Sequence, residues 1–416
     1  MSNRRIRDYG ITIGSLPAGK YNSIADVDGV TVGHSTIDTD RHKTGVTVIL
    51  PCKDNLFANK MAASAYVLNG FGKTAGTLQI NELGTLESPI ALTNTLNVGL
   101  VHDALVSHMI KRCQEDNYPL FSFNPVVGEC NDCHLNDIKD RAVTAEHVFA
   151  AIESAASDFE QGDVGAGKGT ICYGLKGGIG SASRQLEIGG KIFHIGVLVQ
   201  SNFGKMEDLI INGREIGTAI KKLIAAEKQT AIEKQSGTEK QSATEKQTST
   251  EKQSAAENSE SPLKTRDEGS IMSIIATDLP LSSRQLHRIL KRAAIGLGRT
   301  GSHVGHGSGD VMIGFSTANR FPASLPTASV PSTASAPSTA ASFSTVSAQT
   351  DSGLFPCVTV LHEQLMDLPF RAVIEAEEEA VLNSLAAADT VTGCTGATCR
   401  SLDFWFKKLS DETKNS

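Results

Sequence analysis

Between Glu227 and Glu257 the chain repeats a six-residue unit, Glu-Lys-Gln-Ser/Thr-x-x, with Glu-Lys-Gln starting at Glu227, Glu233, Glu239, Glu245 and Glu251. A period of six fits neither the ~3.6-residue turn of a helix nor a heptad, and the repeat has almost no large apolar side chain to present to a core. Such a segment buries too little to offset its conformational entropy. Residues 227–262 are therefore expected to be a disordered low-complexity insertion, helical only where it continues from Ile220. Residues 323–352 form a second linker-like loop, rich in Ser, Ala, Thr and Pro, with Pro326, Pro331 and Pro337. Setting both aside leaves about 350 of the 416 residues, enough for a large core.

Within that remainder, Val27–Val32, Gly45–Leu50, Pro89–Thr93 and Ile192–Val199 read as strands, being short, β-branched and bounded by Gly or Asp. Helical periodicity covers Gly99–Cys113, Thr144–Ser157, Ser283–Leu297 and Phe370–Ala387. Runs of strands alternating with helices point to a layered α/β or α+β protein rather than a helical bundle. Pattern alone does not choose the topology. The net charge of −7 offers no basic footprint, so nucleic acid is not an expected partner. Apolar runs such as Ile192–Val199 fall well short of the ~20 residues that span a bilayer, so no membrane span is expected. The charged start, Met1 to Asp8, is followed by no apolar segment of a secretory signal. The cytoplasm is the default compartment, and the eight Cys then read as thiols rather than a disulfide framework.

Several motifs carry weak chemical signals. Gly162-Asp-Val-Gly-Ala-Gly167-Lys168-Gly169 nearly matches a phosphate-binding loop, but Gly169 stands where Ser or Thr must hold magnesium, so a glycine turn is the favoured reading. Cys130-Asn-Asp-Cys133-His134 has the spacing of a haem attachment or redox motif. Haem attachment goes with export, and zinc would need a second ligand pair that Cys172, Cys394 and Cys399 do not clearly supply, so no metal or cofactor is assigned. Glu129, Asp132 and Asp137 in the same segment could equally form an acidic pocket rim. His34, His194 and His303 are expected to be hydrogen-bonded structural residues.

The most informative stretch follows the charged repeat, where Asp267-Glu-Gly269-Ser270-Ile-Met-Ser-Ile-Ile-Ala-Thr-Asp278 turns abruptly from polar linker to buried-strand pattern. Taken alone, this is a turn into a strand. The chemistry that would make it more is self-cleavage, in which the Ser270 hydroxyl attacks the Gly269 carbonyl. Glycine suits that step because it lacks a Cβ and permits a strained backbone. Hydrolysis of the resulting ester would free the Ser270 α-amine, whose ordinary pKa of ~7.7–8.0 suits a general base near neutral pH. Nucleophile and base would then share one residue.

At these residues the sequence resembles the P1 (DmpA/BapA-like) family of self-processing serine aminopeptidases, which includes L-aminopeptidase/D-amidase/esterases and β-peptidyl aminopeptidases. The matching words are Ile24-Ala-Asp-Val-Asp-Gly-Val-Thr-Val-Gly-His34, Pro125-Val-Val-Gly-Glu129, Gly174-Leu-Lys-Gly-Gly-Ile-Gly180, Val197-Leu-Val-Gln-Ser-Asn202-Phe-Gly204, Ser270 with Ala276-Thr-Asp278, and Gly307-Ser-Gly-Asp310 with Phe315-Ser-Thr-Ala-Asn319. They run in family order to Thr392-Gly393 and span nearly everything outside the two low-complexity stretches.

The resemblance implies an α+β, four-layer αββα sandwich like that of the N-terminal-nucleophile (Ntn) hydrolases and ornithine acetyltransferases. It implies autocleavage between Gly269 and Ser270 into an α chain, residues 1–269, and a β chain, residues 270–416, of one domain. Ser270 takes the nucleophile position, and Ser308 and Asp310 match the pair that orients its amine and relays its proton. Asn202 matches the oxyanion donor, and Glu129 the carboxylate that binds the substrate's free amine. The segment after Glu129 departs from the family, with Cys133 and His134 where Gly and an aromatic residue are usual. Where a tyrosine there assists the oxyanion, Asn131 or His134 would have to substitute. The implied enzyme needs no cofactor, hydrolyses small peptides, amides or esters with a free α- or β-amine, and assembles αβ units into a homo-oligomer, a tetramer or larger. Rivals are an amino-alkyl oligomer (nylon-type) hydrolase, an acyltransferase on the same fold, against which Ser270 rather than Thr argues, and an unprocessed, non-catalytic binding protein.

Overall fold

The computed structural model describes residues 4–242, 269–323 and 358–415. Strands β1 (Thr31–Asp38) and β2 (Lys43–Leu50) form a hairpin with Thr31 opposite Leu50. The long β3 (Asn59–Gly70) and short β4 (Thr85–Leu86) belong to a second sheet, while β5 (Ile90–Asn94) and the parallel β6 (Val126–Cys130) complete the first in the order β1-β2-β5-β6. A small hairpin, β7 (Ile171–Cys172) and β8 (Leu175–Lys176), leads into β9 (Ile179–Ile188) and β10 (Lys191–Asn202). These two, with β11 (Ser270–Thr277) and β12 (Gly309–Pro322), give the second sheet the order β4-β3-β12-β11-β10-β9. The last pair is β13 (Val391–Thr392) with β14 (Thr398–Cys399).

Seven α-helices accompany these strands among the described residues: α1 (Thr77–Leu83), α2 (Val98–Glu115), α3 (Ala145–Glu153), α4 (Ile216–Ser242), α5 (Ser283–Arg299), α6 (Asp367–Ala386) and α7 (Leu402–Asn415). Three apolar clusters separate four layers. Val46, Val48 and Val127 of the first sheet pack on Val101 and Leu105 of α2 and Val148 of α3. Ile49, Ile90 and Leu92 meet Leu198, Met272, Ile274 and Phe315 between the sheets. On the outer face of the second sheet, Ile271, Ile275 and Met312 meet Ile289 of α5 and Val373 and Ala376 of α6. This is the αββα sandwich.

Strand β11 shows why the sequence looked uniformly apolar: alternate side chains point to opposite faces, and both faces are buried. Met272 and Ile274 point between the sheets and Ile271 and Ile275 toward the helices. Ser270 shares the parity of Met272 and so opens toward the first sheet.

Three of the four expected strands lie within β2, β5 and β10 or differ from them by one residue. The fourth, Val27–Val32, is displaced: Ser23 caps a 3₁₀ turn at Ile24–Asp26, Gly29 sits at φ +85°, and β1 begins only at Thr31. Helix α3 stops at Glu153, short of the expected Ser157, because Ala156 instead pairs with Val32. The charged repeat begins as a helix continuing through Ile220, with α4 running on to Ser242. Buried Ile220 and Leu223 secure its first turns, and Glu, Lys and Gln propagate a helix readily once one is nucleated. Residues 243–262 and 324–352 lie outside the described residues.

Candidate active site

The register fixes what surrounds Ser270. As the first residue of β11 it faces Asn202, the last residue of β10, across an antiparallel pair, and lies beside Gly309, the first of β12, across a parallel one. Three strand ends thus gather in one row. Ser308 and Asp310 flank Gly309, and the Ser308 Oγ donates to Asp310 Oδ1 at 2.8 Å with both residues buried. The Ser270 hydroxyl is buried and makes no conventional hydrogen bond among the described residues.

The peptide bond before Ser270 is held closely. Its carbonyl, on Gly269, accepts the Gly309 N–H at 3.0 Å. A Cβ at Gly269 would lie 2.6 Å from Phe203 Cα and 2.8 Å from the Asn202 carbonyl oxygen. The requirement for glycine is therefore one of space; the left-handed backbone that glycine also permits is not used here. At Asn202, Oδ1 accepts the Ile171 N–H at 3.0 Å. A backbone N–H can only donate, so this bond fixes the amide orientation and leaves the NH₂ group for the cavity.

That cavity, of ≈ 330 Å³, is lined by Ser270, Asn202, Glu129, Asn131, His134 and His306 among others. Glu129 ends buried on β6, where Oε1 accepts the Lys73 N–H at 3.0 Å and Oε2 accepts the Thr95 hydroxyl. Each oxygen keeps a lone pair, so the carboxylate can still receive an ammonium group. Asn131 Oδ1 accepts the Cys133 N–H at 2.9 Å, closing the turn that brings Cys133 and His134 to the cavity wall.

The acidic rim is corrected to a single carboxylate. Asp132 is buried beside Asn136, where burial pushes it up to about 6, and Asp137 pairs with Arg41 at 2.8 Å. The two cysteines of the Cys-x-x-Cys-His segment also part company. Cys133 is exposed, whereas Cys130 is buried behind the nucleophile, its thiol donating to the carbonyls of Gln200 (3.3 Å) and Ser270 (3.6 Å). Burial first, and then the nearby charges of Glu129 and Asp310, hold the Cys130 thiol well above its usual range despite the hydrogen bond with Ser270. No group of three or more His, Cys, Asp or Glu able to hold a metal occurs among the described residues.

The glycine-rich Gly162–Gly169 segment is a turn, with Gly162 at φ +89° and Gly165 at φ +50°. The Lys168 amine there is taken by Asp38 at 2.7 Å and Asp163 at 2.9 Å rather than offered to a phosphate. His34 bonds Thr47 and the Glu160 carbonyl, His194 bonds Asp278, and His303 lies 3.7 Å from Asp208.

Sequence reasoning missed Asn69, Thr95 and the two backbone N–H groups. Asn69, on β3 opposite Asp310, donates through Nδ2 to the carbonyls of Gly305 (2.9 Å), His306 (3.2 Å) and Ser308 (2.6 Å). It clamps a loop in which Val304, a β-branched residue, sits at φ +55°. The available signals were Asn-Gly at the end of a strand and a Thr just beyond another; backbone donors leave none.

A family model described as Peptidase family S58 matches residues 22–399. The β-peptidyl aminopeptidase BapA of Sphingosinicella xenopeptidilytica is 34% identical over 416 aligned positions, covering 95% of this chain and 88% of the relative. Among solved structures, the L-aminopeptidase D-Ala-esterase/amidase of Ochrobactrum anthropi, described as a prototype of the serine aminopeptidases with a variant of the Ntn hydrolase fold, superimposes with a TM-score of 0.76 at 31% identity, covering 99% of each chain. A Burkholderia sp. β-aminopeptidase superimposes with a TM-score of 0.74 at 33% identity, covering 98% of this chain and 99% of its own.

Proposed function

The chain belongs to peptidase family S58 and is a serine aminopeptidase, and on that premise we propose that it activates itself by cutting the Gly269–Ser270 bond and then uses Ser270 to release N-terminal residues from small peptides, amides or esters. The observation that carries this reading is one cavity lined by a buried serine hydroxyl, the free end of an oriented amide and a carboxylate with spare lone pairs, with the Ser308–Asp310 pair beside it.

In self-cleavage the Ser270 Oγ attacks the Gly269 carbonyl carbon while the Gly309 N–H supports the developing oxyanion. The Gly269–Ser270 C–N bond breaks as the nitrogen gains a proton. Water then hydrolyses the Gly269 ester, leaving an α chain ending in a carboxylate and a β chain beginning with a free amine. During turnover that amine takes the Ser270 hydroxyl proton and later delivers it to the leaving amine. Ser308 orients the amine and Asp310 stabilises the positive charge that forms on it. The Asn202 NH₂ holds the substrate oxyanion, and Glu129 binds the substrate ammonium, which restricts attack to the N-terminal bond.

Seven described cysteines are free, which suits a reducing compartment such as the cytoplasm. Leu78 and Phe121, 89% and 97% exposed, are apolar surface available for packing αβ units into an oligomer. The decisive experiment is a denaturing gel with sequencing of the smaller band, which should begin Ser-Ile-Met-Ser and disappear in Ser270→Ala along with activity. A natively purified, intact chain that hydrolyses peptides would remove Ser270 from the mechanism, and an intact inactive one would favour the binding-protein rival.

A further inference from the structure

A second cavity, of ≈ 600 Å³, adjoins the first, and Cys133, His134, Asn202 and Gly269 line both. Asn202 thus stands at their junction. If Glu129 holds the substrate amine, a carbonyl whose oxygen meets the Asn202 amide has its acyl side in the first cavity, which leaves the second cavity for its other substituent. That second space is walled by Leu135, Ile171, Phe203 and the hydroxyl-bearing Thr395 and Thr398. Lys205 is the one Lys, Arg, Asp or Glu side chain lining it among the described residues. The nearby Glu207 is engaged by Lys221 at 3.3 Å, and Lys205 makes no ion pair among the described residues.

We propose that the second cavity is the leaving-group subsite and that Lys205 binds the free carboxylate of the departing amino acid, making dipeptides with both termini free the preferred substrate class. This rests on the Ser270 reading above. Glu129 and Lys205 would then act as opposite charges at the two ends of a short gauge, with Asn202 between them. A longer peptide places its carboxylate beyond Lys205, and an amide offers none. Charge on a ligand group makes its hydrogen bonds stronger than neutral ones and gives a lysine something to discriminate. The carboxylate that self-cleavage creates on Gly269 is a second source of the same chemistry at this junction, and the experiment must separate the two.

The test compares kcat/KM for L-alanyl-L-alanine and β-alanyl-L-alanine with their C-terminal amides, in the processed wild-type enzyme, Lys205→Met and Lys205→Arg. The wild type should favour the acid on the order of 10-fold, the gain expected of one charged hydrogen bond, and the preference should shrink as salt is added. The acid-to-amide ratio should fall to about 1 in Lys205→Met and recover in Lys205→Arg. Equal rates on acid and amide in the wild type would overturn the proposal, including the case in which Lys205 is occupied by the α chain's own terminal carboxylate. So would a ratio that Lys205→Met leaves unmoved. Should Lys205→Met fail to fold or process, Lys205→Gln, which also removes the charge, takes its place, and a ratio that it leaves unmoved overturns the proposal. A wild type that hydrolyses neither dipeptides nor an alanine anilide would instead sink the Ser270 reading.

Discussion

Replacing Glu377 by Gln is expected to stabilise the protein progressively as pH rises from 5.5 to 8. Glu377 lies on α6 with no solvent exposure, its Oε1 accepting the Ser273 hydroxyl at 2.5 Å and its Cβ packed against Gly296 of α5. Neighbouring carboxylates are paired elsewhere, Glu378 with Arg299 and Glu375 and Glu379 with Arg184. No cation pairs with Glu377 among the described residues. Burial therefore pushes its carboxyl from 4.5 to about 8, against the smaller opposing effect of the Ser273 hydrogen bond. Between those pH values the folded chain holds a proton that the unfolded chain has lost. Stability is then full below the unfolded value and declines by ~1.36 kcal/mol per pH unit until the folded value is reached. Over 2.5 pH units the loss is about 3 kcal/mol. Gln keeps the acceptor for Ser273 and cannot ionise; any unmade hydrogen bond of its NH₂ costs about 1–3 kcal/mol at every pH alike. The informative quantity is thus a difference of differences: Tm of the Gln variant minus Tm of the parent, at pH 8 relative to pH 5.5. At ~1.4 °C per kcal/mol for a domain of about 350 residues it should rise by ~4 °C. The melts are best made in a Ser270→Ala background at matched ionic strength, so that chain separation does not enter. Parallel Tm curves from pH 5.5 to 8 would refute a neutral buried carboxyl at Glu377.

Two further variants probe the site. Asn202→Ala should lower kcat by about 10²–10³, the effect of one lost oxyanion donor of ~2.7–4 kcal/mol, with little change in KM; an effect confined to KM would assign the amide to ground-state binding. Asn69→Ala should lower kcat and shift the pH–rate profile by loosening the loop that carries Ser308, and Asn69→Asp, of equal size but without donors, should fail to restore it. Recovery in Asn69→Asp would show that packing, not the three carbonyl bonds, positions the loop.

Much of the architecture was legible because segments such as Gly45–Leu50 and the Ile195–Val199 part of β10 are buried on both faces and announce themselves as continuous apolar runs. Val27–Val32 looked the same and failed, because a capped 3₁₀ turn and a left-handed Gly29 consume its first half. Ser270, Ser308 and Asp310 were singled out through the family resemblance, since the polar-to-apolar junction at Ser270 taken alone reads only as a turn into a strand. Their assembly with Asn202 was not legible, since it depends on β11 pairing in parallel with one strand and antiparallel with the other. The buried Arg184, which pairs with Glu375 and Glu379, was invisible for a similar reason: its partners lie 191 and 195 residues away. Backbone donors such as Gly309 N–H carry no residue identity at all.

The order of the second sheet has a consequence for the life history of the enzyme. Strands β11 and β12, from beyond the proposed cut, lie in its middle, with β3 and β4 on one flank and β10 and β9 on the other. The α chain keeps the first sheet whole, but its four strands of the second sheet fall into two pairs joined only through the β chain's β11 and β12, so under the proposed cut assembly would precede scission and be unimolecular only once. After scission the same two pieces, if ever unfolded, must find each other by diffusion and lose the high effective concentration that the linker supplied. An enzyme cut as proposed would be kept intact by the slowness of its unfolding, and its durability would be a lifetime rather than an equilibrium.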